Sequence, residues 1–279
     1  MRIHLVPNTD NPRACAAARS LATDLAADGH AITASAADAG GCDNDVVTGV
    51  ASDAELVVAL GGDGTILKAA HALAGADVPI FGINLGRLGF LCGASGDDPT
   101  GAVRAVVAGG AREERRVTVH VEATNGGRVA GSHHALNEIF VGRASGARAV
   151  DIAVAVDGES FAHWVCDGVI VATPTGSTAY ALSAGGPIMA PDLRALVVVP
   201  VGAHSLAVRP LVLGSSSRVT ITFPDAARAG ACLVVDGDLV PCRSALERLE
   251  VDLGTDDVRL LRIDEGSFIA AARDAFMRS

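Results

Sequence analysis

Aromatic side chains are scarce in this sequence of 279 residues, where they account for 3% of the positions and include one Trp and one Tyr. Hydrophobic residues nevertheless make up 49% of the chain, so its core is expected to consist mainly of Ala, Val and Leu. No stretch approaches the roughly 18 consecutive apolar residues of a membrane-spanning helix, and the amino terminus lacks the charged-then-apolar layout of a secretory signal. These absences predict a soluble protein of the cytoplasm without a membrane partner.

Positive charge is also in short supply. The formal net charge is −10 at pH 7, which argues against nucleic acid or an anionic membrane surface as the main partner. Of the 22 basic residues only Lys68 is a lysine, and it follows a glycine-rich motif. Lys68 is therefore singled out as a candidate site residue.

Closely spaced cysteine pairs are absent as well. The six cysteines are scattered, without Cys-X-X-Cys spacing, at positions 15, 42, 92, 166, 232 and 242. In a cytoplasmic chain such cysteines are typically reduced core residues, and we expect that here. Neither they nor the pair His133 and His134 show metal-ligand spacing, so no metal is expected to be held by a cage of protein side chains.

The first 116 residues alternate strand-like and helix-like segments. Asn11 and Pro12 are typical of a helix start, and Gly29 is typical of its end. A strand-like run at 56–60 leads into a glycine-rich turn and a helical pattern over 66–73. This order predicts an open, largely parallel α/β domain over residues 1–116.

Residues 117–263 have a different texture, with short β-rich runs separated by Gly, Asp and Asn turns. Runs such as 150–156 and 219–223 predict an antiparallel, sandwich-like all-β domain. The last segment, 264–279, has a helical pattern and is a candidate for packing back on the first domain.

The turn from Gly61 to Thr65 reads GGDGT and follows a predicted strand, at the edge where open α/β sheets bind ligands. Its glycines allow a phosphate to approach the backbone closely. Asp63 is an anion in such a site, which makes sense if the phosphate arrives with a metal or if the carboxylate takes a proton from an attacking hydroxyl. Lys68, one helical turn further on, would either counter phosphate charge or be an ordinary solvated lysine.

A second candidate stretch runs from Cys166 to Ile188. Its apolar strand pattern ends in the hydroxyl-rich run TPTGST, where Pro174 and Gly176 prevent a regular ladder from continuing. We expect these hydroxyls, with the N–H groups of a helix over 178–184, to meet an anionic or hydroxyl-rich ligand. The alternative is an ordinary turn followed by a buried helix of small residues.

Two shorter stretches are weaker candidates. Asn137 and Glu138 combine an amide with a carboxylate, which suits an adenine edge or ribose hydroxyls but also an ordinary turn. The glycine-rich stretch 81–91 predicts either a second wall of the first site or a crossover between layers.

Taken together and in this order, several motifs resemble those of the NAD kinase family over nearly the whole chain. They are GGDGT at 61–65, NLGRLGFL at 84–91, ALNE at 135–138, DGVIVATPTGSTAYALSAGGPI at 167–188 and HSLAVRPLVL at 204–213. The resemblance implies an α/β domain, a β-sandwich, a site in the crevice between them and a homo-oligomer of two or four chains. It also implies transfer of the terminal phosphoryl group of ATP or inorganic polyphosphate to the 2′-hydroxyl of the adenosine ribose of NAD, with a divalent metal, Mg²⁺, that arrives with the phosphates.

The resemblance also assigns roles to individual residues. Asp63 matches the family's catalytic proton acceptor, Asp167 matches a carboxylate on the nicotinamide-side ribose, and Arg148 falls where a basic residue reaches the nucleotide. The other positions implied to bind NAD are Gly64, Lys68, Asn137, Glu138, Thr178, Ala179, Tyr180, Ala181, Leu182 and Ser183. Further candidates are Gly61, Gly62, Phe90, Val165, Asp236 and Gly237.

One position departs from the family pattern. Where many relatives carry Arg, two residues before Asp167, this chain has Val165, so a cationic contact is missing or supplied from elsewhere, for example by a neighbouring subunit. The preference between NAD and NADH stays open for this reason. Two other functions also remain: a lipid kinase that shares GGDGT, which would need a basic or amphipathic membrane face, and a non-catalytic dinucleotide-binding regulator, which would not need Asp63.

Overall fold

The computed structural model describes most of the chain. The described residues are 1–86, 89–144, 149–204, 208–226, 230–241, 245–263 and 266–276. They fall into two compact units, one formed by Met1–Arg115 with Val258–Ser279 and the other by Arg116–Asp257. The predicted combination of a parallel α/β domain and an all-β domain is confirmed.

The first unit is built around one eight-stranded sheet. Its strands are β1 (Arg2–Pro7), β2 (Ala31–Ala34), β3 (Val47–Thr48), β4 (Leu56–Gly61), β5 (Ile80–Asn84), β6 (Ala94–Ser95), β7 (Arg112–Arg116) and β20 (Val258–Arg262). Its helices are α1 (Pro12–Ala27), α2 (Ala36–Gly41), α3 (Asp63–Leu73), α4 (Pro99–Val107) and α6 (Phe268–Phe276). The strand order is β3-β2-β1-β4-β5-β20-β7, with β6 also paired to β5, and the pairs among β1 to β5 are parallel.

Local sequence explains how α1 covers this sheet. The Asn11 side chain accepts a hydrogen bond from the backbone N–H of Arg13, and Pro12 occupies the first turn, where its missing N–H costs nothing. Leu21 and Leu25 are then buried on the same face, against a core that includes Phe81 of β5. The helix follows the predicted pattern closely.

The chain returns to this sheet through β20, which pairs in parallel with β5 and places Leu260 opposite Ile80. The return therefore begins at Val258, within the range 117–263 that the sequence assigned to the second domain. Strand β20 has only five residues and is mostly half-buried. Its sequence therefore does not distinguish it from the β-rich runs that precede it.

The cysteine prediction was wrong for one pair. Cys15 in α1 and Cys42, which follows α2, form a disulfide with Cα atoms 4.8 Å apart. They are 27 residues apart in sequence, so only the packing of the two helices brings the sulfur atoms together. Cys92 and Cys166 are buried, as expected of core residues, and Cys232 is half-buried. Cys242 lies outside the described residues.

Breaking this disulfide is expected to lower the free energy of unfolding by about 3 kcal/mol, because the bond restricts the unfolded chain by closing a loop. Urea denaturation of the wild type and of the double variant Cys15→Ser/Cys42→Ser measures the difference. Dithiothreitol should destabilise the wild type by the same amount and leave the double variant unchanged. An unfolding midpoint that does not move when the wild type is reduced would contradict the expectation.

The second unit consists of two six-stranded sheets whose pairs are antiparallel. Its strands are β8 (Val119–Asn125), β9 (Arg128–Ala135), β10 (Glu138–Arg143), β11 (Val150–Val156), β12 (Glu159–Cys166), β13 (Gly168–Ala172), β14 (Ala195–Val201), β15 (Leu211–Gly214), β16 (Val219–Thr222), β17 (Ala231–Val235), β18 (Asp238–Val240) and β19 (Arg248–Leu253). The orders are β15-β14-β13-β10-β17-β18 and β12-β11-β16-β19-β8-β9.

The two sheets of this unit share one core. Val141 and Val171 from the first sheet pack with Val121, Ile152 and Leu249 from the second.

The predicted helix over 178–184 is shorter than expected, because Gly176–Thr178 forms a 3-10 turn and only Tyr180–Ser183 is α-helical, here α5. None of the helices in the described ranges combines the length and the hydropathy needed to cross a bilayer.

Candidate functional site

Asp63 lies at the start of α3, immediately after the glycine-rich turn that ends β4. Its carboxylate accepts two backbone hydrogen bonds: Oδ2 from the N–H of Phe90 at 2.8 Å, and Oδ1 from the N–H of Leu91 at 3.1 Å. Each oxygen keeps a second lone pair for another partner. The half-buried carboxylate is thus held in a fixed orientation with acceptor capacity to spare.

The glycines around Asp63 serve different purposes. A Cβ on Gly61 would lie 2.1 Å from Oγ1 of Thr65, and one on Gly89 would lie 2.2 Å from Oδ1 of Asp63, so both positions exclude larger residues. At Gly62 and Gly64 a Cβ would meet nothing within 4 Å. Gly61 and Gly89 are therefore required by packing, whereas packing does not restrict Gly62 and Gly64 to glycine.

The Lys68 side chain is 48% exposed and forms a specific ion pair. Its ammonium group pairs with the carboxylate of Asp38 and lies 3.5 Å from the carbonyl oxygen of Pro7. Asp38 is buried, and it also accepts a hydrogen bond from Oγ of Ser35 at 2.8 Å. This ion pair ties α3 to α2. Lys68 is the only lysine of the sequence and follows Asp63 by about one helical turn.

In the second unit, Asp236 organises the turn that carries Asn137 and Glu138. Its Oδ2 accepts the N–H of Leu136 at 2.7 Å, and its Oδ1 accepts the N–H groups of Asn137 at 2.7 Å and Glu138 at 3.0 Å. Asp236 and Gly237 have positive φ angles of 46° and 92°, and form the tight turn between β17 and β18. The sequence made Asp236 a further candidate site residue but did not reveal this role, since the two segments are about 100 residues apart.

Glu138 carries an unsatisfied acceptor. Its Oε2 is buried, and no donor among the described residues reaches it, while the backbone N–H of Tyr180 donates to the carboxylate. Burial, and then the nearby charge of Asp236, raises the pKa of Glu138 to about 7. A buried oxygen without a partner is costly in the free protein and fits a hydroxyl donor from a ligand.

The affinity for NAD is expected to depend on pH through Glu138. If a ribose hydroxyl donates to the ionised carboxylate, the complex binds fewer protons than the free protein below pH 7, so affinity weakens by up to about tenfold for each pH unit of acidification. Calorimetry at several pH values and in buffers of different ionisation enthalpy measures this linkage. The variant Glu138→Gln should bind more weakly but without the pH dependence. An affinity for NAD that is constant between about pH 5.5 and pH 8 in the wild type would contradict the assignment.

Two hydroxyls of the TPTGST run, those of Thr173 and Ser177, point inward, although we expected the run to meet a ligand. Thr173 donates to the carbonyl of Leu136 at 2.6 Å, and Ser177 donates to the carbonyl of Pro174 at 2.6 Å. Both side chains are fully buried. A Cβ on Gly176 would lie 2.1 Å from the carbonyl oxygen of Asn137, so this run fits tightly against the turn of Asn137 and Glu138. The hydroxyls satisfy the loop's own carbonyls and thereby shape the site without lining it.

The segment after this run contributes fewer side chains than expected. Tyr180 is 43% exposed, with its ring centroid 5.8 Å from that of Phe140, and it remains available for stacking. Ala181 is fully buried in a small core, so it offers no side-chain contact. Thr178 donates its hydroxyl to the carbonyl of Thr175 at 3.1 Å. Around them, Ala179 and Leu182 are half-buried and Ser183 is exposed.

Asp167 has a cationic partner that the sequence did not reveal. Nε of Arg143 lies 2.6 Å from Oδ1 of Asp167, and both side chains are about two-fifths exposed. The strand register explains this contact. Gly142 of β10 pairs with Gly168 of β13, and this pairing brings the adjacent residues Arg143 and Asp167 together. Val165 is 46% exposed on β12. Arg148 lies outside the described residues.

Within the described ranges, no group of three or more His, Cys, Asp or Glu side chains is arranged to hold a metal ion.

Comparisons with known proteins converge on one family. The profile of the ATP-NAD kinase N-terminal domain matches residues 16–111, and that of the ATP-NAD kinase C-terminal domain matches residues 136–263. The NAD kinase of Nocardia farcinica is 42% identical over 214 residues, which cover 77% of this chain and 66% of that protein. The NAD kinase of Mycobacterium tuberculosis is 40% identical over 218 residues, which cover 78% of this chain and 71% of that protein.

Two solved structures resemble the whole chain. Yeast NADH kinase complexed with NADH has a TM-score of 0.89 at 26% identity, and the similarity covers 100% of this chain and 89% of that one. An NAD kinase from Archaeoglobus fulgidus in complex with ATP has a TM-score of 0.76 at 26% identity and covers 99% of this chain and 98% of that one.

Proposed function

Because the chain belongs to the NAD kinase family, we propose that it transfers the terminal phosphoryl group of ATP, or of inorganic polyphosphate, to the 2′-hydroxyl of the adenosine ribose of NAD, giving NADP. The observation that carries the chemistry is Asp63, whose carboxylate is oriented by two backbone N–H groups and retains acceptor capacity for a further partner. An oriented carboxylate with spare lone pairs is suited to accept a proton from a hydroxyl.

In the proposed reaction Asp63 takes the proton of the 2′-hydroxyl as that oxygen attacks the terminal phosphorus atom. The new P–O bond forms while the bond to the bridging oxygen breaks, and ADP leaves with the bonding electron pair. We assign Mg²⁺ to the phosphate oxygens of the donor, where it would neutralise their charge. Lys68 would counter phosphate charge only in exchange for its partner Asp38, whose carboxylate balances the ammonium charge.

We assign recognition of the nucleosides of NAD to groups of the second unit. Glu138 offers its unsatisfied oxygen to a ribose hydroxyl, Asn137 contacts the adenosine, and the exposed ring of Tyr180 stacks on the dinucleotide. Asp167 holds the second ribose, with Arg143 as the cation that Val165 does not supply. A neighbouring subunit is then not needed for that charge.

Following the family resemblance, we further propose that the protein acts in the cytoplasm and assembles as a dimer or tetramer. A lipid kinase is disfavoured by the net charge of −10 and by the scarcity of lysine. A non-catalytic regulator is disfavoured by the two N–H groups that fix Asp63, because binding alone does not require an oriented base.

An acceptor and donor assay tests this proposal. Purified protein is supplied with NAD or NADH and with Mg-ATP or polyphosphate, NADP or NADPH is detected enzymatically, and a diacylglycerol acceptor is run in parallel. Formation of NADP supports the proposal and identifies the donor. Phosphorylation of the lipid alone, or binding of NAD without any product, would contradict it.

A further inference from the structure

The segment that orients Asp63 lies close against it. The N–H groups of Phe90 and Leu91 bind the two carboxylate oxygens, and Gly89 approaches so closely that a Cβ there would overlap the carboxylate. These contacts leave the carboxylate little freedom to turn on its own. The direction of the Asp63 side chain is therefore determined by where the backbone of residues 89–91 lies.

That backbone is packed by the last helix of the chain. The ring of Phe90 stacks on the ring of Phe276, with centroids 5.7 Å apart and planes 17° apart. The ring of Phe268, at the other end of α6, lies 6.0 Å away with its plane tilted by 49°. Three of the seven phenylalanines in the chain thus form one cluster, centred on Phe90, whose backbone N–H binds Asp63.

A second set of contacts fastens the same segment to the chain just before α6. Nη1 of Arg262 donates to the carbonyl oxygen of Phe90 at 3.2 Å, and the Arg262 side chain is only 12% exposed. The N–H of Ile263 donates to the carbonyl of Gly93 at 3.1 Å. A Cβ on Gly93 would lie 2.1 Å from the carbonyl oxygen of Leu261, so the two backbones are in direct contact. The carboxy-terminal segment consequently holds residues 89–93 through both backbone and side-chain contacts.

The helix itself adds little to the core. None of its residues is buried, and Ile269 is 71% exposed. Helix α6 is exposed, yet both of its aromatic rings contact Phe90. A role in positioning Phe90 explains this arrangement better than a contribution to the stability of the core does. We propose that α6 sets the orientation of the Asp63 carboxylate through Phe90, with Phe268 and Phe276 as positioning residues for phosphoryl transfer. This inference rests on the proposed role of Asp63 as proton acceptor.

The test compares Phe276→Ala with two controls. Ile269→Ala shortens an exposed side chain on the same helix, and Phe276→Tyr keeps the ring. A misplacement of about 1 Å in a catalytic group costs on the order of a hundredfold, so we expect Phe276→Ala to lower kcat by about tenfold to a hundredfold with little change in the KM for NAD. Both controls should turn over like the wild type. A wild-type kcat in Phe276→Ala, or an equal loss in Ile269→Ala, would overturn the proposal.

A double-mutant cycle separates positioning from general damage. If Phe276 acts through Asp63, adding Phe276→Ala to Asp63→Asn should not lower the residual turnover further. A loss of the same size in both backgrounds would show that the ring acts in another way. The same data distinguish the two assignments. Normal turnover in Asp63→Asn would refute the role of Asp63 as proton acceptor. Loss of turnover in Asp63→Asn together with full activity in Phe276→Ala would refute only the role of α6. Phe276→Leu, which keeps apolar volume, serves if the alanine variant does not fold.

Discussion

Asp63→Asn is expected to lower kcat by about 10²- to 10⁴-fold, because the amide cannot accept a proton from the ribose hydroxyl and its NH₂ group would face one of the two N–H donors. Binding of NAD should be largely retained, since the second unit supplies most of the proposed contacts. Steady-state NADP formation measures kcat, and calorimetry with NAD measures affinity.

The matched control is Asp77→Asn, which removes a carboxylate of the same unit that is 72% exposed and pairs only at the surface with Arg259. This variant should turn over like the wild type. If Asp63→Asn kept near-normal turnover, or lost turnover only in proportion to NAD binding, Asp63 would not be the proton acceptor.

Asp236→Asn is expected to raise the KM for NAD by about tenfold to a hundredfold, because hydrogen bonds to a charged acceptor contribute about 1.5 to 3 kcal/mol each. Asn offers one acceptor oxygen where Asp236 receives three N–H groups, and its NH₂ group would face a donor. The turn that carries Asn137 and Glu138 would then lose its fixed geometry. The kcat at saturating NAD should fall much less.

Asp157→Asn is a close control for this variant. Asp157 also precedes a glycine in a tight turn with a positive φ angle, 53°, and its carboxylate accepts the N–H of Arg218 at 2.8 Å. It lies in the other sheet of the unit, away from Asn137. The control should lose some thermal stability without a change in KM. Equal KM effects in the two variants would mean that Asp236 has no special relation to the nucleotide.

Much of the fold could be predicted from the sequence because its core strands are continuous apolar runs. Strand β11 (Val150–Val156) was predicted with its observed bounds because only one charged residue, the exposed Asp151, interrupts its apolar sequence. Strands β7 (Arg112–Arg116) and β9 (Arg128–Ala135) were missed because they are edge strands composed largely of polar or charged residues. Such strands are defined by pairing with a neighbour, and hydrophobic periodicity does not reveal them.

The candidate site shows the same division between local and distant information. Asp63 could be singled out because its motif is contiguous and its charge is unexpected beside glycines. The roles of Arg143, Asp236 and the pair Cys15 and Cys42 could not, since each depends on a contact between segments far apart in sequence. The inward-facing hydroxyls of the TPTGST run illustrate a further limit, because residue type alone does not tell whether a hydroxyl serves a ligand or its own loop.

The most direct test of the central claim is the position of the new phosphate on the product. NAD is incubated with the protein and its donor, and the product is examined by phosphorus and proton NMR for coupling between the phosphate and the ribose protons. We predict a single monophosphate on the 2′-carbon of the adenosine ribose. Phosphate on the 3′-carbon or on the nicotinamide ribose, or no phosphorylated NAD at all, would contradict the account.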